Sequence, residues 1–148
     1  MTTLEGGLFE SGRPVLVAPP TSPTSLGENI LVSWNQSTEQ ARVTADALPL
    51  LKRAKTVTVL TVEGLLVPGP TGAQCCDWLA MHGVDAREMS IGNGGKKPGE
   101  VLLTEAQMLG ADLIVKGAYT QSRLRQMIFG GATSHLLAHT TVPMLMAH

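Results

Sequence analysis

The residues best suited to chemistry lie near the C-terminus, in "ADLIVKGAYTQSRLRQMIFGGATSH". The short apolar run Leu113 to Val115 leads through Lys116 to Gly117, and a polar, basic stretch then runs to a glycine pair, Gly130-Gly131, that opens a helical pattern. A glycine directly after a buried strand lets the backbone turn sharply and lets a ligand come close. Glycines at a helix start leave bare backbone N–H groups at the positive end of the helix dipole, which favours an anion. Ser122 and Thr133 add hydroxyl donors, and Arg123 and Arg125 add positive charge. The plainer possibility is that these glycines only end a strand and begin a helix.

Composition limits what such a site can serve. The chain has 148 residues, enough for one domain, and 43% of them are hydrophobic but only 3% aromatic. The core must therefore be aliphatic. A formal net charge of -1 argues against nucleic acid as the main partner, because binding a phosphate backbone needs a basic face. Cys75 and Cys76 are neighbours and make no disulfide framework, which suits a reducing, cytoplasmic setting. No apolar run approaches the roughly 18 residues needed to cross a bilayer, and no membrane partner is expected. His135 and His139 stand at a metal-binding helical spacing with no evident third ligand. No nucleophile–base–acid set is evident, so catalytic residues are not assigned.

Elements must hold these groups in place. "NILVSW" (29–34), "TVTVLTV" (56–62), "DAREMSI" (85–91), "DLIVK" (112–116) and 142–147 have the length and composition of strands, with 85–91 nearer the sheet edge. Helical patterns fill the intervals. One starts at Ser37, where Ser37 and Gln40 have capping-box spacing, and a kink or early end is expected at Pro49. Others follow Thr71, span 100–110, and run from about 131 to 139. "GNGGKKPG" (92–99) is a surface loop. Alternating strands and helices predict an α/β fold, a three-layer sandwich in which a parallel sheet carries helices on both faces. Ligands of such sheets bind outside the carboxyl ends of the strands where the strand order reverses. With the first full strand central, "SWNQS", holding Ser33 and Asn35, meets "KGAYTQS", holding Lys116, Gly117, Thr120 and Ser122.

Over 29–148 the chain resembles the universal stress proteins of the nucleotide-binding kind. Their motif is Gly, two residues, Gly, nine residues, Gly, then Ser or Thr. Gly117 takes the first place and Gly130 the third; Thr120 replaces the second glycine and Gly131 the closing hydroxyl residue. The resemblance implies a five-stranded parallel sheet and an adenine nucleotide, ATP first, with Mg2+ as a companion ion. It implies contacts from Ser33, Asn35, Val62, Lys116, Gly117, Thr120, Ser122, Gly130, Gly131, Ala132 and Thr133. Asn35 stands where the family usually has an Asp near the nucleoside. Asn donates as well as accepts, and it is equally suited to a turn that bonds its own backbone. The implied role is stress response or signalling as a homodimer with a protein partner. The alternatives are a dimeric interaction module that binds no nucleotide, and a slow ATP hydrolase.

Residues 1–28 lie outside the expected domain, with a strand at 13–19 and a Pro-rich linker. Pro14-Val15-Leu16-Val17-Ala18 matches Pro143-Met144-Leu145-Met146-Ala147 in kind at every position. Family dimers pair through their last strands, so 13–18 is expected beside 142–147 as an extra edge strand, within one chain or exchanged with a partner.

Overall fold

The computed structural model describes residues 3–118 and 132–148, with only the backbone for Glu5 and 132–135. The order of elements is α1 (Thr3–Glu10), β1 (Val15–Val17), β2 (Asn29–Ser33), α2 (Thr38–Asp46), α3 (Leu48–Leu51), β3 (Thr56–Val62), α4 (Gly72–Met81), β4 (Ala86–Ile91), α5 (Pro98–Met108), β5 (Leu113–Gly117), α6 (Ala132–His139) and β6 (Met144–Ala147). One sheet of six strands runs β1-β6-β5-β2-β3-β4. The five strands from β2 to β6 pair in parallel, and β1 adds to the β6 edge antiparallel. This is the expected α/β sandwich with its extra N-terminal edge strand, and β4 is the opposite edge.

Side-chain alternation divides the core into two layers. Ile30, Val32, Val57, Val59, Leu113 and Val115 pack under α2 and α4. Leu31, Leu60, Val62, Ile114, Met144 and Met146 pack on the other face, with α5 and α6. Strands buried on both faces read as continuous β-branched and aliphatic runs, which is why "TVTVLTV" marks β3 without ambiguity. Pro49 acts as expected. It has no N–H to donate, so α2 ends at Asp46 and the proline sits in the first turn of the short helix α3, where that donor is not needed. Thr71 and Gln74 form a complete capping box on α4.

The helix α1 was not foreseen. Gly6 and Gly7 weaken its intrinsic propensity, and its stability comes from docking: Leu8 is buried, and Leu4 and Phe9 are half-buried, against the α5–α6 layer. The α1–β1 unit copies the α6–β6 unit. Both helices have 8 residues, and links 11–14 and 140–143 of equal length lead to the two strands. The pairs Val15–Met146, Leu16–Leu145 and Val17–Met144 are symmetric about the two leucines.

One carboxylate anchors the entry to the central strand. Asp112 accepts from Ser25 Oγ (2.7 Å) and from the N–H groups of Gly27 (3.1 Å), Glu28 (3.0 Å) and Asn29 (2.9 Å). Burial pushes its pKa up, but the bonds from Ser25, Asn29, Glu28 and Gly27 outweigh this and hold it below the ordinary value. A depressed carboxylate pKa stabilises above the unfolded value, and the gain is lost as pH falls through the folded one. Asp112→Asn should therefore lower stability by roughly 1–2 kcal/mol at neutral pH. The deficit should shrink toward acid in urea titrations; a deficit independent of pH would contradict the assignment.

Candidate functional site

Strand order reverses at β2. Its chain neighbour β3 lies on one side and β5 on the other, so the carboxyl ends of β2 and β5 open a crevice between α2 on one face and α6 on the other. Ser33, Lys116 and Gly117 stand at those ends. Asn35 and Val62 lie close by in sequence to the ends of β2 and β3. Thr120, Ser122, Gly130 and Gly131 lie outside the described residues. Ala132 and Thr133 form the first turn of α6 by their backbone.

The loop after β2 is held by its own bonds and by a second loop. Asn35 Oδ1 accepts from Ser37 N (3.1 Å) and from Ser37 Oγ (2.7 Å), and Ser37 Oγ accepts in turn from Gln40 N (3.1 Å). Asn35 is thus the turn residue that its type allows. A second loop closes over it. Trp34 Nε1 donates to Pro70 O (2.8 Å), and Val67 N donates to Asn35 O (3.1 Å). With its amide nitrogen turned toward them, Gln36 donates to Val67 O (2.8 Å) and Gly69 O (3.2 Å). Gln36 has φ 70, an uncommon conformation for a non-glycine residue. Gly69 allows the approach, since a Cβ there would stand 2.1 Å from Gln36 O.

Gln40 is the residue that sequence spacing misassigned. Its backbone completes half of the expected capping box, but its side chain does not return to the helix start. It is fully buried. Oε1 accepts from Gly117 N (2.7 Å), and Nε2 donates to Val115 O (3.2 Å) and Thr44 Oγ1 (3.3 Å). A Ser-x-x-Gln pattern carries no signal that separates these outcomes.

Gly117 is correspondingly different from the expectation. It makes no turn, but is the last residue of β5 and pairs with Ala147 of β6. A Cβ on it would stand 2.6 Å from Gln40 N and 2.9 Å from Gln40 Cα. The glycine is therefore needed where α2 crosses the sheet, whatever binds nearby. Val62 is also core: its side chain is buried beside Leu60, and its carbonyl accepts from Leu65 N (3.3 Å).

Lys116 is unusual. It alternates with Ile114 onto the α5–α6 face, is 4% exposed, and its Nζ donates to Gly117 O at 3.3 Å. No carboxylate among the described residues pairs with it. Burial alone lowers its pKa from the ordinary 10.5 to about 8. Both cysteines lie elsewhere, at α4. Burial, with a smaller effect from Cys76, pushes Cys75 up to about 12, and burial also raises Cys76, so neither thiol is activated.

Two measurements check these assignments. Gly117→Ala should destabilise the fold by roughly 1–3 kcal/mol through overpacking against Gln40; a fully stable variant would show that the glycine serves a ligand alone. Lys116 binds its proton less tightly folded than unfolded, so wild-type stability should rise as pH climbs from about 8 to about 10.5. At about 1.4 kcal/mol per pKa unit, the charged form costs on the order of 3 kcal/mol. Lys116→Met should therefore be the more stable protein near neutrality, and should lose that advantage in alkaline denaturation experiments. An advantage constant with pH would refute the buried charge.

The architecture has known counterparts. Residues 89–148 match the model of the Universal stress protein family. The stress response protein NhaX of Bacillus subtilis (strain 168) is 37% identical over 49 residues, 33% of this chain and 30% of that protein. A universal stress protein of Archaeoglobus fulgidus DSM 4304 superposes with TM-score 0.73 at 19% identity, over 97% of this chain and 52% of that one. The chain thus spans about half of that structure's length. A universal stress protein in complex with cAMP superposes with TM-score 0.65 at 17% identity, over 84% of this chain and 98% of that one. The solved structures share the fold of this chain, and its last 60 residues, from the edge strand β4 through β6, are similar to the Universal stress protein family.

Proposed function

We propose that this chain binds an adenine nucleotide, ATP first, in the crevice between the ends of β2 and β5, and acts in stress response or signalling. The observation that carries the reading is the reversal of strand order at β2, the place where open α/β sheets bind ligands. The relative in complex with cAMP supports an adenine nucleotide as the ligand class. In this reading Gly130, Gly131, Ala132 and Thr133 offer N–H groups to the phosphates at the start of α6. Thr120 and Ser122 line the approach, and Ser33 and Asn35 face the nucleoside. Mg2+ would accompany the phosphates. Residues 29–148 are the binding domain, and 1–28 an extension carrying the α1–β1 unit. The setting is cytoplasmic.

A second reading has its own support. Asn35 is held in its turn, and Gly117 is committed to α2. Two positions implied as nucleotide contacts thus have sufficient structural reasons. That favours a dimeric interaction module that binds no nucleotide. Either form of dimer would use the β1–β6 edge. With β1 already covering β6, a partner strand must either displace β1 or pair with its outer side.

Denaturing the purified protein and identifying any released nucleotide, followed by titration with ATP, separates the two. Released adenine nucleotide, or submillimolar affinity for ATP, is expected. Gly130→Val should abolish binding by crowding the phosphates, and Thr120→Gly should strengthen it by restoring the family's glycine. No bound nucleotide and no submillimolar affinity would leave the interaction module as the function.

A further inference from the structure

We infer that Lys116 is the cation that neutralises the phosphates of the bound nucleotide, and so makes the site select for phosphorylated ligands over nucleosides. The inference rests on the proposed nucleotide site and gives one of its residues, Lys116, a specific role. The geometry has three parts. Lys116 is the last residue but one of β5, at the strand-order reversal. Its side chain lies on the α5–α6 face, whose core is apolar and includes Ile114 and Ala118, two positions either side of it, and its sheet partner Met146. Its Nζ reaches toward the strand's carboxyl end, since its hydrogen-bond acceptor is Gly117 O, at 3.3 Å.

An ammonium has three protons to donate. Here one weak bond to a carbonyl serves a group that is 4% exposed, and no described carboxylate forms an ion pair with it. Burying a charge in this manner is costly unless an opposite charge arrives. Methionine or leucine would fill the same volume in an aliphatic layer at no such cost. A lysine at this position becomes favourable when an anion enters the crevice beside the ends of β2 and β5. The α-, β- or γ-phosphate of a nucleotide supplies one, and adenosine does not.

The test compares ATP, adenosine and inorganic tripolyphosphate on wild type and Lys116→Met by calorimetric titration. Wild type should prefer ATP to adenosine. Lys116→Met should lose about tenfold or more in ATP affinity, as for removal of one charge-assisted contact, while adenosine affinity stays unchanged. Equal losses for ATP and adenosine, or no loss for either, would overturn the assignment while leaving nucleotide binding intact. Failure of wild type to bind either ligand would overturn the nucleotide site and this inference together. A measurement on the wild-type protein needs no variant: ATP and tripolyphosphate should slow acylation of Lys116 by a small anhydride, mapped by mass spectrometry, and adenosine should not. Equal protection by adenosine would show simple occlusion and overturn the charge role.

Discussion

The side chain of Gln40 fixes the relation between α2 and the sheet. The N–H of Gly117 lies at the end of a fully buried strand and needs an acceptor. Gln40 Oε1 supplies it at 2.7 Å, and Nε2 satisfies Val115 O on the same strand. The two bonds hold the start of α2 against β5, and only a glycine leaves room for that approach. The same helix start is tied to the loop after β2 through Ser37 and Asn35. One continuous set of bonds therefore joins the ends of β2 and β5, which are the two sides of the crevice.

This has a consequence for recognition. Groups that hold a site in shape have already used their hydrogen-bonding capacity, and cannot also be the groups that select a ligand. Asn35 Oδ1 and the Gly117 N–H belong to that class, and the loop at 67–70 is closed over Gln36 in the same way. In the proposed nucleotide site, selectivity would then come from groups that the frame leaves poorly satisfied. Lys116 is such a group, since an ammonium with one long bond in an apolar layer is stabilised by any anion that reaches it. The frame and the unsatisfied cation are separate parts of the same strand end, on opposite faces of the sheet.

The sequence carried the fold well because its signals were local. β-Branched runs marked the buried strands, Thr71 marked the start of α4, and Pro49 ended α2 by lacking an N–H. The site was less legible because its determinants are contacts between distant segments. Gln40 and Gly117 are 77 positions apart, and neither residue type announces the other. Gly117 is legible as a glycine at a strand end, but it makes no turn, and the space it leaves is taken by helix backbone. The helix α1 was invisible for a related reason, since its two glycines disfavour helix and it is stabilised by docking of Leu4, Leu8 and Phe9. Lys116 was legible as a residue of the crevice, but its burial depends on alternation and on the layer above, which composition does not reveal.

The match between the two ends of the chain acquires a physical meaning in the register. Two copies of one strand sequence, laid antiparallel, pair symmetrically about their centre, and the pairing of β1 with β6 is centred on Leu16 and Leu145. The repeated helix and link lengths extend that symmetry beyond the strand. The β6 edge is thereby closed by a segment resembling itself, which removes an open edge that would template aggregation. Leu16 remains 48% exposed, because the face it shares with Leu145 is covered by α2 only on the β6 side. The edge problem is therefore moved outward by one short strand rather than abolished. Three paired residues present far fewer free backbone groups than a long strand would, which limits what can add to them.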